Sequence, residues 1–266
     1  MLSVQNLTKK YDEFLLDDIS LEIGQGEYFV LLGPSGAGKT ILFETIAGII
    51  SPDSGKIVFD GRDITNEPIR KRQIGLVLQD GAVFPHMTAG QNIGYPLKVK
   101  RWSASQIKEK VLQLAEQMSI SHLLHRKPST LSGGELRRIA IARTLALDPK
   151  CLLLDEPLSS LDIQLQQEIL DLLKNLNHSG LTILHITHNY HEAFYVAQRM
   201  AVMDKGRIIQ QGTPEEITNH PKSKFVADFI GIGNYIGLKS QIELLEDLTK
   251  QDSKGFYSEH KGNRLK

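Results

Sequence analysis

The stretch Gly33-Pro34-Ser35-Gly36-Ala37-Gly38-Lys39-Thr40 decides the architecture. It satisfies every position of the glycine-rich phosphate-binding loop pattern, G-x-x-x-x-G-K-[ST]. The flanks agree with that reading. An apolar run, Phe29 to Leu32, precedes it as a strand, and Ile41 to Ala47 follows with helical character. Such a loop between strand and helix turns its backbone N–H groups toward one point, and the helix adds its positive end. Gly33 to Thr40 are therefore candidate nucleotide-binding residues. Lys39 supplies a cation for the β- and γ-phosphates, and Thr40 a hydroxyl for Mg²⁺.

Outward from this loop, further apolar runs read as strands at Tyr28 to Leu32, Ile74 to Leu78, Cys151 to Leu154 and Leu181 to Ile186. They are continuous, as in strands covered on both faces. Helical stripes separate them. One follows the candidate caps Ser103 and Ser105 through Ile107, Val111, Leu114, Ala115 and Met118, and another runs Ile169, Leu172, Leu173, Leu176 to a stop near Gly180. Alternating strands and helices predict an α/β core on a parallel sheet. Residues 2–23, turning near Asp12-Glu13, and Lys56 to Phe59 before Asp60-Gly61 predict a separate antiparallel sheet, and Met200 to Gln211 a hairpin broken at Asp204-Lys205-Gly206. From about Gln241 the chain is polar and is expected to be poorly ordered.

A second carboxylate-bearing strand end completes a nucleotide site. In Cys151-Leu152-Leu153-Leu154-Asp155-Glu156 four apolar residues carry two acids to a carboxyl end, where ligands bind in doubly wound sheets. Asp155 is a candidate Mg²⁺ ligand, and Glu156 a candidate base for the attacking water. Leu131-Ser132-Gly133-Gly134-Glu135 is a second glycine-rich helix start, so Ser132, Gly133 and Gly134 form a spare phosphate site. One nucleotide does not need two such sites in one chain, which points to the nucleotide of a second subunit.

Composition bounds the rest. The 266 residues carry 31 Lys plus Arg against 31 Asp plus Glu, so the chain has no basic excess and no nucleic-acid partner is expected. The single cysteine, Cys151, excludes an intrachain disulfide framework and sits in an apolar run as an inert thiol. The N-terminus lacks a signal-peptide pattern, and no run of about 18 apolar residues is present, so any membrane role goes through a partner.

Taken together, these motifs resemble the ATP-binding subunit of an ABC transporter over about residues 2–235. Gly33 to Thr40 matches Walker A, Gln79 the Q-loop glutamine, Leu131 to Glu135 the signature, and Leu152 to Glu156 Walker B. Ser160-Leu161-Asp162 matches the D-loop and His188 the switch histidine, while Tyr11, 22 residues before Gly33, stands where the family stacks an aromatic ring on adenine. The resemblance implies a P-loop NTPase core with a parallel sheet, an N-terminal antiparallel β subdomain and an α-helical signature subdomain at about 80–150. The ABC cassette would occupy 1–235 and a short tail 236–266, too short for a regulatory barrel.

Further implications concern roles and partners. ATP and Mg²⁺ are the cofactors, with Gln79 joining Thr40 and Asp155 at the metal and sensing the membrane partner. His188 contacts the γ-phosphate, and Asp162 signals across a head-to-tail dimer of two copies that sandwich ATP. Transmembrane permease subunits and, through them, a solute-binding protein complete the machine, with the cassette peripheral on the cytoplasmic face of the membrane. The segment Asp80 to Thr88, with Val83, Phe84 and Met87, is expected to receive a short helix of the permease. The chain departs from the commonest family pattern at Glu135, where Gln is usual, and in the stretch Leu136-Arg137-Arg138 after it, where a polar residue followed by Gln-Arg is more usual. Ala37 and Glu135 resemble the molybdate/tungstate importers most, with polyamine, iron or other import as the alternative. A non-transport cassette of the DNA-repair or ribosomal kind is disfavoured, since the chain holds one cassette and no long heptad insert.

Overall fold

The computed structural model describes residues 2–78, 83–159 and 161–231. Gln79 to Ala82, Ser160 and the polar tail beyond Gly231 lie outside the described residues. The chain divides into two compact units, Met1–Glu215 and Glu216–Lys266.

The first unit contains two sheets. The antiparallel one has the order β2-β1-β4-β5, from β1 (Leu2–Tyr11), β2 (Phe14–Ile23), β4 (Ser54–Phe59) and β5 (Arg62–Asp63). Its first hairpin turns at Asp12, whose φ of 51° suits a short polar residue. The second sheet has six strands in the order β10-β9-β3-β8-β7-β6. β3 (Tyr28–Leu32), β6 (Ile74–Val77), β7 (Cys151–Asp155), β8 (Thr182–Thr187) and β9 (Arg199–Asp204) run parallel, and β10 (Arg207–Gly212) closes the edge antiparallel. All five residues of β3 and of β7 are buried, as their continuous apolar runs require.

The helix after the phosphate loop, α1 (Lys39–Ala47), lies between the sheets. Its Leu42, Phe43 and Ile46 share one core with Leu2, Leu7, Leu16 and Ile19 of the antiparallel sheet and with Phe29, Leu31, Leu153, Leu184 and Ile186 of the parallel one. Burying each such side chain contributes about 1.5–3 kcal/mol, so this junction fixes the loop against both sheets. Cys151 belongs to the same core, and burial pushes its thiol up to about 12, which keeps it inert.

Three helices form the helical region between β6 and β7. α2 (Ala89–Val99), α3 (Ala104–Gln117) and α4 (Gly133–Leu145) all start with a reciprocal capping box, Thr88 with Gln91, Ser103 with Gln106 and Ser132 with Glu135. Of the two candidate caps for α3, Ser103 takes the role. α5 (Ile163–His178) and α6 (Tyr190–Val196) then flank β8 in sequence. Two short helices follow, α7 (Pro214–Asn219) and α8 (Lys224–Phe229); in α8 the Phe225 and Phe229 rings stack 5.8 Å apart.

Candidate nucleotide site

Parallel register gathers the site at one edge of the sheet. Leu32 pairs with Thr187, Asp155 with Ile186, and Val77 with Leu154. The residues that follow β3, β7 and β8 therefore emerge together: the loop Gly33 to Thr40, then Asp155 and Glu156, then His188. β6 ends on the same edge, one residue before Leu78.

The loop is shaped by steric necessity. Gly38 has φ +97°, and a Cβ there would strike the Phe14 ring at 2.5 Å. Gly36 has φ +80° and faces open space, with nothing within 4 Å of a built Cβ. Ser35, Gly36 and Thr40 are exposed, while Ala37 and Lys39 are buried. No side chain caps the start of α1, so its first amides remain available to an anion. Lys39 donates from Nζ to the carbonyls of Gly33 at 2.7 Å and Pro34 at 3.0 Å. Burial lowers its pKa, and Glu156 and Asp155 oppose that shift. A phosphate is the natural replacement for the two carbonyls.

The two acids differ in environment. Asp155 is 7% exposed, and burial, then Glu156, raise its pKa to about 6, against the pull of Lys39. A metal ion there would relieve this desolvated charge, so the residues fit Mg²⁺. Glu156 is half-buried and sits at φ 41°, a left-handed conformation that costs a non-glycine residue about 1–3 kcal/mol. Its N–H donates to the Ile186 carbonyl at 3.0 Å, and its carbonyl accepts from Ser159 N at 3.2 Å and Ser159 Oγ at 3.0 Å. This turn throws the side chain back toward β8, where His188 Nδ1 stands 3.0 Å from Glu156 Oε1. His188 is exposed.

The second candidate phosphate site is exposed at Ser132 and Gly133, with Gly134 buried. Ser132 Oγ accepts from Glu135 N at 3.3 Å, and Glu135 Oε2 accepts from Ser132 N at 2.7 Å. Glu135 thus serves the helix start as well as Gln would, and the backbone N–H of Ser132 lowers its pKa. A Cβ on Gly133 or Gly134 would come within 3.0 Å of Leu161 or Leu165, so the glycines admit the segment around Asp162. Asp162 caps α5, its Oδ1 accepting from Leu165 N at 2.9 Å. Tyr11 is exposed at the end of β1. Gln79 lies outside the described residues.

Three features of this neighbourhood escaped the sequence reading. Arg137, buried on α4, donates from Nη1 to the Leu78 carbonyl at 2.8 Å and so ties the signature helix to the residue before Gln79. Asn92, fully buried, holds the Phe84 backbone by both N–H and carbonyl, at 2.7 and 3.1 Å. Glu192 accepts hydrogen bonds from Thr187 and Asn189, the residues on either side of His188. None falls on an apolar stripe or in a spacing motif; the Arg137-Arg138 departure was the one available signal.

From Val83 onward, the expected docking segment turns partly inward. Phe84 packs edge-on to Tyr95 at 4.8 Å and lies under the Arg143 guanidinium at 5.0 Å. A groove of about 1080 Å³ opens beside it, lined by Met87, Tyr95, Val99, Trp102, Val111 and Leu112 among others. Among the described residues, no helix is long and apolar enough to cross a membrane.

Comparison with known proteins agrees with this geometry. A family model described as ABC transporter matches residues 16–159. The molybdate/tungstate import ATP-binding protein of Pyrococcus abyssi is 45% identical over 92% of this chain and 72% of its own length. The spermidine/putrescine import ATP-binding protein of Thermotoga maritima is 43% identical over 92% of this chain and 67% of its own. A dimeric ATP-binding cassette in a post-hydrolysis state, bound to ADP and phosphate, superposes with a TM-score of 0.72 at 30% identity, covering 80% of this chain and 99% of that one.

Proposed function

The chain belongs to the ABC transporter family as an ATP-hydrolysing importer subunit, and from that premise we propose how its residues divide the work. Gly33 to Thr40 hold the nucleotide phosphates, with Lys39 exchanging its two loop carbonyls for phosphate oxygens. Tyr11 stacks on the adenine. Thr40, Asp155 and Gln79 would hold Mg²⁺, which when bound would neutralise charge on the phosphates. Glu156 accepts the proton of the attacking water, and His188 holds the γ-phosphate side of the site. The 3.0 Å contact between His188 Nδ1 and Glu156 Oε1 carries this reading, because it joins the two groups at one end of the sheet.

Such cassettes work as homodimers with transmembrane partners. We infer that the two copies meet head to tail, with Ser132, Gly133 and Gly134 of one capping the ATP of the other. Asp162 lies beside that surface through the packing of Leu161 and Leu165 on the signature glycines. The groove between α2 and α3 receives a short helix of the permease: Val99 is 62% exposed, and Trp102 and Leu112 also open to solvent there. This docking places the cassette peripherally on the cytoplasmic face. Because Phe84 is already gripped by Tyr95 and Arg143, the docking contacts fall to Met87 and the α2–α3 side chains.

For cargo, we propose an oxyanion of the molybdate/tungstate kind, delivered by a solute-binding protein to the permease. Similarity to the Pyrococcus abyssi importer subunit supports it. Similarity to the Thermotoga maritima subunit favours polyamine as the second reading. Calorimetry on the cognate solute-binding protein with molybdate, tungstate and spermidine tests the choice. Tight oxyanion binding is the expected result, and spermidine binding without oxyanion binding overturns it.

A further inference from the structure

One buried carboxylate takes the hydrogen bonds from both neighbours of His188. Glu192, in the first turn of α6, is 9% exposed. Its Oε2 accepts the Thr187 hydroxyl at 2.8 Å, and its Oε1 accepts the Asn189 side-chain amide at 3.1 Å. The two partners are also linked to each other, since Asn189 N donates to Thr187 Oγ1 at 3.0 Å. Asn189 Oδ1 meanwhile caps α6 by accepting from His191 N at 2.9 Å. Thr187, His188 and Asn189 are thereby closed into a ring of hydrogen bonds, with the exposed imidazole as the one side chain that projects from it.

The floor under this ring is equally ordered. His185 is fully buried on β8, with Nδ1 3.0 Å from the Tyr28 hydroxyl and Nε2 3.8 Å from Glu192 Oε2. Burial lowers its pKa to about 3, so the ring is neutral. Nδ1 and the Tyr28 hydroxyl share one hydrogen bond, while Nε2 faces the carboxylate and has no hydrogen-bond partner of its own. Burying a carboxylate is costly, and a turn between strand and helix can be capped without one. What the arrangement delivers is a fixed backbone on both sides of His188.

We propose that Glu192 is a positioning residue for hydrolysis, clamping Thr187 and Asn189 so that His188 is held at Glu156. The proposal rests on the roles given above to His188 and Glu156. Glu192 acts only through His188, so its effect must vanish when that imidazole is removed.

A double-mutant cycle in ATP turnover tests this on the whole chain. Glu192→Gln keeps the size but sets a donor amide against Thr187 or Asn189. A displaced catalytic group costs up to roughly a hundredfold, so kcat should fall about tenfold to a hundredfold while KM for ATP stays within about twofold. In a His188→Ala background the same change should cost nothing further. An equal fall in both backgrounds, an effect on KM alone, or a wild-type kcat in Glu192→Gln each overturn the clamp. A wild-type rate in His188→Ala by itself removes the role of His188, which is a separate failure and takes the clamp with it. Should Glu192→Gln not fold, the cycle runs on Thr187→Val, which lacks the hydroxyl. Thr187→Ser should then restore the rate, and a Thr187→Ser as slow as Thr187→Val counts against the proposal.

Discussion

His188 Nδ1 stands 3.0 Å from Glu156 Oε1, joining the ends of two adjacent parallel strands through side chains 32 residues apart. The contact exists because β7 and β8 pair Asp155 with Ile186, and because Glu156 turns back at φ 41°. The proposed base and the histidine beside it are thus brought together by sheet register plus one strained residue.

Removing the base while keeping its shape should separate binding from hydrolysis. Glu156→Gln is expected to retain ATP and lose about 10²–10⁴-fold in turnover, the range of a positioned base. Steady-state ATPase assays beside a nucleotide titration check it; wild-type turnover would sink the assignment of Glu156. Lys39→Ala should do the reverse in kind. Loss of a charged phosphate partner, worth about 1.5–3 kcal/mol, should raise the nucleotide Kd roughly tenfold to a hundredfold.

Asp155 makes the stability of the protein depend on pH. Its folded pKa, about 6, lies above the unfolded value near 3.8, so the native state holds the proton more tightly. Stability is therefore greatest below the unfolded pKa and falls as pH rises through the folded one. Above that window the penalty reaches about 3 kcal/mol at most. Asp155→Asn should raise the Tm at pH 8 by several degrees and lose the advantage near pH 4, while hydrolysis is abolished. Thermal denaturation at both pH values measures this, and a Tm gain independent of pH would count against it.

The exposed signature start predicts a mass change. Much of the dimer interface would be nucleotide, so Glu156→Gln should double in mass on adding ATP and Mg²⁺. Light scattering in the two conditions reads it directly. A mass that does not respond to nucleotide at high protein concentration contradicts ATP-driven head-to-tail closure by the cassette itself.

Groove chemistry predicts uncoupling. Trp102 is 40% exposed on the α2–α3 groove, whose lining includes neither the glycine-rich loop nor Asp155 or Glu156. Trp102→Glu puts a charge where an apolar helix should sit, and is expected to abolish transport in the assembled system while basal ATPase stays near wild type. Phe84→Glu is a poorer probe, because it also breaks the packing with Tyr95 and Arg143. Unimpaired transport in Trp102→Glu would place the permease elsewhere.

Glu156, Lys39 and Ser132 were legible because each stands in a local pattern that needs only its immediate neighbours. A phosphate loop requires glycines and a lysine at fixed spacing, a buried strand end requires an apolar run, and a helix start requires a cap. The same is true of the α/β class, since continuous apolar runs separated by helical stripes can be covered only in a parallel sheet with helices on its faces. By itself, therefore, the sequence determined the glycine-rich loop between β3 and α1, the acids at the end of β7, the capped start of α4 and the order of elements. Tertiary structure alone decided which side chains became partners across long separations. Glu192 looks like an ordinary first-turn acid until Thr187 and Asn189 fold over it, and Arg137 like a surface charge until α4 brings it to Leu78. Phe84 reads as a docking residue, and only the fold shows that Tyr95 and Arg143 pack against its ring. The physical reason is that a polar side chain carries no periodic signal. Its partner is fixed by sheet register and helix packing, which depend on contacts distributed over the whole core.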